Sequence, residues 1–215
     1  DIFGHSVAIS GTGNDAVAII GAYGDDDNGS ASGSAYIFDK SSGSWQQIDK
    51  LLAGDPAANN FFGLSVSISG TGNNSVAIIG AYGNSDNGIQ SGSAYIFDKS
   101  NGSWQQIDKL LADDAAAGDF FGWSVSISGT GNNAVAIIGA RGDDNNEIFN
   151  TGSAYIFDKS DGSWEQIAKL VASDLAASDI FGHSVAISGT GNDAVAIIGA
   201  YQDDDNGSVS GSAYI

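Results

Sequence analysis

The segment FGHSVAISGTGNDAVAIIGAYGDDDNG, which begins at Phe3, returns almost letter for letter from Phe62, Phe121 and Phe181. The spacing is 59, 59 and then 60 residues, so the chain is one unit written nearly four times. A period this long, with several strand-like runs inside it, points to an array of small sheets that must stack to bury their apolar faces.

Each unit divides into four short runs. SVAIS (Ser6 to Ser10) ends in the turn Gly11-Thr12-Gly13-Asn14. AVAIIGA (Ala16 to Ala22) is an unbroken apolar stretch suited to a central strand covered on both faces. SAYIFD (Ser34 to Asp39) carries the aromatic and β-branched residues that strands favour, and SWQQIDKLL (Ser44 to Leu52) has the mixed polarity of an outer edge strand. Clusters of Gly, Asn, Asp and Ser separate the runs, and helical periodicity of useful length is missing. A β-solenoid has shorter coils without four hairpin-separated runs. The reading is therefore all-β: a β-propeller of four-stranded antiparallel blades. One array covers 1–215, with repeats 1–59, 60–118, 119–178 and 179–215, the last lacking its fourth strand. Such a count suits a piece of a larger ring, or one of two chains that join.

Composition narrows the function. With 7 Lys and Arg against 26 Asp and Glu, the net charge is −19, which excludes nucleic acid and anionic membrane surfaces as partners. No apolar run reaches the 18 residues of a membrane span, and no Cys is present to form disulfides or thiolate metal sites. The chain starts and stops inside the repeat, which reads as a processed or excised piece.

In an up-and-down blade, the loop between the second and third strands shares a face with the link to the next blade. Those loops and links gather 17 of the 26 acids on one face, against a single base, Arg141, while the six lysines fall on the opposite face and the outer strand. An electrostatically two-sided molecule is expected. Asp and Asn on Gly-containing turns offer the six to eight oxygens that Ca2+ takes. The candidate metal residues are Asp25, Asp27 and Asn28, then Asp86, then Asp143 and Asn145, and finally Asp203, Asp205 and Asn206. The loops lack a full calcium-loop pattern, and solvated Asx-rich turns are the competing reading.

Differences between otherwise equal repeats mark a second candidate. The residue after Phe-Gly is His5, Leu64, Trp123 or His183, at the mouth of the central channel where propeller ligands bind. Tyr23, Tyr82, Arg141 and Tyr201, which follow the second strands, complete the ligand-binding set. Arg141-Gly142-Asp143 spells an adhesion tripeptide that one substitution in the repeat creates. No nucleophile–base constellation, phosphate-cradling loop or His cluster supports catalysis.

The four Phe-Gly pairs, each followed by a strand and by Ile-Gly-Ala (Ile20-Gly21-Ala22 and its copies), resemble FG-GAP repeats. These are the blade repeats of the integrin α-subunit head and of many bacterial surface proteins. The resemblance covers the whole chain. It implies a propeller with the FG strand innermost, an extracellular or cell-surface setting, and roles in adhesion, ligand binding or display. Calcium sites of that family occupy the turn between strands one and two. Here that turn is Gly-Thr-Gly-Asn, with Asp15 and Asp193 as its only acids, so those sites do not carry over. The expected function is a non-catalytic extracellular recognition or adhesion module that binds a glycan or protein through its acidic face, with calcium assisting. A surface-layer or filament subunit self-associating through open blade edges, and an accessory propeller of a secreted hydrolase, are the alternatives.

Overall fold

The computed structural model describes residues 1–215, the side chains of Ser100 and Asn192 excepted. It is a β-propeller of four antiparallel blades. The first blade is β1 (Phe3–Ser10), β2 (Val17–Ala22), β3 (Ser34–Asp39) and β4 (Gln46–Leu51). The second is β5 (Ser65–Ser69), β6 (Val76–Ala81), β7 (Ser93–Ser100) and β8 (Ser103–Leu110). The third is β9 (Phe121–Ser128), β10 (Val135–Ala140), β11 (Ser153–Ser160) and β12 (Ser163–Leu170). The fourth holds β13 (Phe181–Ser188), β14 (Val195–Ala200) and β15 (Ser212–Tyr214). Strands pair in chain order within every sheet. The Gly-Thr-Gly-Asn turns tighten into single 3-10 turns, such as Gly13–Asp15, before the second strand begins.

The apolar run of the second strand is buried throughout in the two middle blades, as its composition requires. The cores lie between blades. Val17, Ile19, Ala35 and Ile37 on the back of the first blade meet Phe62, Val66, Ile68, Tyr95 and Phe97 on the front of the second. The same sets meet again between the second and third blades, and between the third and fourth. A buried Phe, Val or Ile stabilises by about 1.5–3 kcal/mol, so each seam is a substantial apolar contact.

Both sequence signatures are explained at these seams. The Phe of Phe-Gly is the plug: Phe62, Phe121 and Phe181 are all buried against the preceding blade. Its Gly takes a left-handed backbone, with φ of +91° at Gly63, and a Cβ there would stand 2.3 Å from the Ser34 carbonyl oxygen. The Gly of Ile-Gly-Ala is its counterpart, since a Cβ on Gly21 would lie 2.0 Å from the Gly63 oxygen. Serine stitches the same spot, with Ser6, Ser65 and Ser124 donating to the oxygens of Gly63, Gly122 and Gly182 at 2.8–2.9 Å.

Two irregularities recur. In the outer strand one extra residue, Ile48, Ile107 or Ile167, interrupts the register and bends the exposed edge. In β9, Phe121 pairs with Ala140 but Ser124 pairs with Gly139, so Gly122 and Trp123 bulge out of the ladder. The residue after Phe-Gly is thereby re-aimed toward the channel mouth.

Candidate recognition face

The β2–β3 loop and the following link share one face, as the repeat implies: Asn59 N–H donates to Ser30 O at 2.8 Å and Phe61 N–H to Ala31 O at 3.1 Å. The charge on that face differs from the expected two-sided pattern. Lys50, Lys109 and Lys169 reach from the outer strands onto the loops and neutralise part of the acid. Lys50 pairs with Asp25 at 2.9 Å and also with Asp27. Lys109 joins Asp55 and Asp86, and Lys169 joins Asp114 at 2.6 Å and Asp143 at 2.7 Å. Each ammonium also lies 5.1–5.5 Å from the ring centroid of Tyr36, Tyr95 or Tyr155. One cation between two carboxylates leaves a net negative charge at each seat.

The tyrosines of the third strand, which look like packing residues in the sequence, are the hubs of these seats. Tyr95 O–H donates to Asp55 at 2.8 Å, and Tyr155 O–H to Asp114 and Asp143 at 2.9 Å. Tyr214 O–H does the same to Asp174 at 2.7 Å and Asp203 at 2.9 Å. Burial, and then donation to carboxylates, pushes these phenols far above their ordinary range, so they stay protonated donors. Burial alone would raise the Asp25 carboxyl. Hydrogen bonds from Lys50, Ser34, Asp27 N–H and Tyr36 outweigh it and hold the group well below the usual carboxylate range.

A resident calcium ion does not fit the first three blades, because a lysine ammonium stands between the carboxylates it would need. The Asn145 side chain is tied into its own loop through its amide nitrogen, which donates toward Thr151 Oγ1, Gly152 O and Ser153 Oγ. Asn28 and Asn206 donate their backbone N–H groups to Ser32 and Ser210 within the loop. In the fourth blade the carboxylates of Asp174, Asp203 and Asp205 lie within 4.8 Å of one another. Among the described residues no lysine pairs with them.

The variable positions come together as an arc of rings around the mouth. His5 meets Tyr23 edge-on at 4.8 Å, and Tyr23 meets Phe61 at 6.1 Å. Phe61 stacks parallel on Tyr82 at 5.0 Å, and Tyr82 meets Trp123 at 5.0 Å. Trp123 and His183 are 6.0 Å apart, and His183 and Tyr201 are 4.3 Å apart. Leu64, half-buried, stands in the second blade where the others place a ring. Sequence reading missed Phe61 and Phe120. Both have positive φ, 55° and 56°, in a region that bulky residues rarely adopt, and this turns the rings toward the mouth. No residue type marks the position, since Ile2 and Ile180 occupy it in the outer blades with the same positive φ, 52° and 59°.

Arg141 sits at the centre of the arc. Its guanidinium lies 3.5 Å from the Trp123 ring centroid and 5.5 Å from that of Phe120. Among the described residues it has no ion pair, and its buried Nε has no hydrogen-bond partner. It also lines a cavity of about 100 Å3 with Phe120, Gly142, Asn150 and Ile180. Burial, and then the nearby Arg141 charge, lowers the His183 pKa and favours the neutral imidazole. The tripeptide Arg141-Gly142-Asp143 is not displayed: Gly142 and Asp143 are buried, and Asp143 is held by Lys169 and Tyr155.

Four blades in succession, carrying an acidic rim and an arc of aromatic rings, define a β-propeller array. The FG-GAP repeat model matches residues 1–38, 45–97, 104–157 and 164–215, and the chain belongs to the FG-GAP repeat family. Its propeller is typically a non-enzymatic fold that serves as a protein-interaction module. No curated protein matches the chain. Among solved structures, it is similar to Sqt1 of Saccharomyces cerevisiae at 15% identity and a TM-score of 0.48. That match covers 91% of this chain and 42% of the other, so this chain spans less than half of that protein's length.

Proposed function

We propose that this protein is a non-catalytic, cell-surface or secreted recognition module whose mouth docks a basic protein ligand. The observation that carries the reading is the ring arc with Arg141 over Trp123. Tyr, Trp and Arg dominate the energetics of protein interfaces, and here they sit together inside a polar rim. The rim carboxylates, only partly offset by three lysines, favour a basic partner and speed its encounter. A glycan needs an open ring face to stack on, and Arg141 already covers Trp123, so a protein is preferred. Calcium assistance is confined in this reading to Asp174, Asp203 and Asp205.

Selection from a displayed peptide library, run beside a glycan array, tests the proposal. Lys- and Arg-rich peptides should be retained, lose affinity as salt rises, and lose it in Trp123→Ala. Binding to sugars alone, or peptide binding that ignores Trp123, would overturn it.

A further inference from the structure

We propose, resting on the recognition role of the mouth, that Arg141 receives a carboxylate, so that the basic ligand presents one acid among its cations. That acid is an Asp or Glu side chain or a C-terminus. Arg141 is the only arginine in a chain with 26 Asp and Glu. Among the described residues no carboxylate pairs with it, and its buried Nε has no hydrogen-bond partner. The acids of its own loop and link are committed elsewhere. Asp143 is held by Lys169 at 2.7 Å and by Tyr155 at 2.9 Å. Asp144 accepts the Asn150 N–H at 2.7 Å, and Asp119 accepts the Ala116 N–H at 2.6 Å.

What Arg141 meets instead is aromatic, with Trp123 at 3.5 Å and Phe120 at 5.5 Å from the guanidinium to the ring centroids. Rings attract the cation but offer no lone pairs to its five N–H groups. A planar fork of donors matches a carboxylate, which accepts two of them in parallel. Between apolar walls such a bond is stronger than in water. The lysines of the rim already hold carboxylates, which leaves Arg141 as the cation of this face free to read an acid. The net charge of −19 repels a bare anion, so the carboxylate has to arrive on a basic carrier.

Three departures from the repeat converge on this point. Arg141 stands where the other blades place Tyr23, Tyr82 and Tyr201, and Trp123 where they place His5, Leu64 and His183. The loop is longer too: β10 ends at Ala140 and β11 starts at Ser153, leaving 12 residues, against 11 at 23–33, 82–92 and 201–211. Counted back from the next strand, its Asn150 replaces Ala31, Gln90 and Val209. Asn150 and Arg141 line one cavity of about 100 Å3 with Phe120, Gly142 and Ile180. At about 30 Å3 for each water-sized group, that is room for a carboxylate and the carbons beside it. The place is interior to the array, since Trp123 has Tyr82 on one side at 5.0 Å and His183 on the other at 6.0 Å.

Nitrogen-15 NMR tests this, because a single arginine gives a single Nε–H signal. The first probes are Nα-acetyl-lysine, which keeps its carboxylate, and Nα-acetyl-lysinamide, which lacks it, at fixed ionic strength. The second are end-blocked Lys-Asp-Lys and Lys-Asn-Lys. At least one acid should move the Arg141 signal saturably, with a Kd of about 1–10 mM, and its neutral partner should not. Response to the first acid alone names a C-terminus as the source, and to the second alone a side chain. Arg141→Gln should weaken the binding acid about tenfold or more, read at the Trp123 indole signal, which Trp123→Ala assigns. Circular dichroism melts check that both variants are folded. Attraction to the acidic rim alone would favour the amide, which is the more cationic probe. A wild-type signal that answers acid and amide alike, or neither acid, would overturn the proposal. If the peptide library yields no basic ligand while an acid still moves the signal, the carboxylate site stands and the basic-protein reading falls.

Discussion

Phe120 and Phe121 are neighbours in the chain with opposite roles. Phe121 is the plug of the seam between the second and third blades, fully buried against Tyr155 at 5.5 Å and Phe157 at 6.0 Å. Phe120 is half-buried in the mouth, against Tyr82, Trp123 and Arg141. The seam repeats with the same residues in every blade, because one backbone fit is copied. The mouth differs from blade to blade, as the one asymmetric surface of the proposed recognition function requires. Stability belongs to what the repeats share, and the proposed recognition to where they part.

Truncation separates the two most strongly. Phe121→Ala should cost about 3–5 kcal/mol in urea unfolding, the loss expected for a buried aromatic. Phe120→Ala should cost about 0.5–1.5 kcal/mol, the worth of its ring contacts, and should weaken ligand binding. Equal stability losses would erase the distinction between seam and mouth.

Glycine sharpens the comparison within the seam itself. Gly139→Ala drives a Cβ to 2.0 Å from the Gly182 oxygen, and backbone cannot yield cheaply, so a loss of about 1–3 kcal/mol or more is expected. Gly199→Ala meets only the Ser184 hydroxyl, a side chain that can turn, and its stability should change by less than about 0.5 kcal/mol.

The link carboxylate Asp119 gives a pH test. It is buried, and burial first, then the charges of Asp143 and Asp114, raises its pKa to about 6, with the Ala116 N–H opposing. A raised pKa means the folded state holds the proton more tightly than the unfolded chain does. Its stabilising effect is complete below the ordinary value of 3.8 and is lost as pH rises through about 6. Asp119→Asn should therefore be more stable than wild type by about 2 kcal/mol at pH 8, with the gain vanishing near pH 4. A gain independent of pH would mean that Asp119 is not protonated on folding. Asp25 has the opposite sign: its lowered pKa supplies stability above the ordinary value that is lost on acidification.

The smallest effect concerns metal. Calcium titration of chelator-treated protein should saturate at no more than one ion per chain, since lysines hold the seats in the first three blades. One ion per blade would mean that those ammonium groups leave their carboxylates.

The fold was legible because repetition multiplies weak signals: four copies of Phe-Gly and Ile-Gly-Ala locate innermost and central strands that one copy would leave ambiguous. His5, Trp123, His183 and Arg141 were legible as departures from the repeat, and Tyr23, Tyr82 and Tyr201 as its shared residue at the Arg141 position; the structure brings them into one arc. The lysine seats were not. Lys50 and Asp25 lie 25 residues apart in sequence, and only the outward bend of the edge strand and the closing of the loop bring them together. The roles of Phe61 and Phe120 were hidden for a related reason, because a positive φ at a bulky residue has no residue-type signature.

The most direct measurement is a paired one on Trp123→Ala: affinity for a basic peptide selected on the wild type, and the urea midpoint. Affinity should fall about thirtyfold, as for an interface anchor worth about 2 kcal/mol, with a stability loss no larger than the ~0.5–1.5 kcal/mol expected for Phe120→Ala. An unchanged affinity with a lowered midpoint would make Trp123 a packing residue and the mouth no recognition surface.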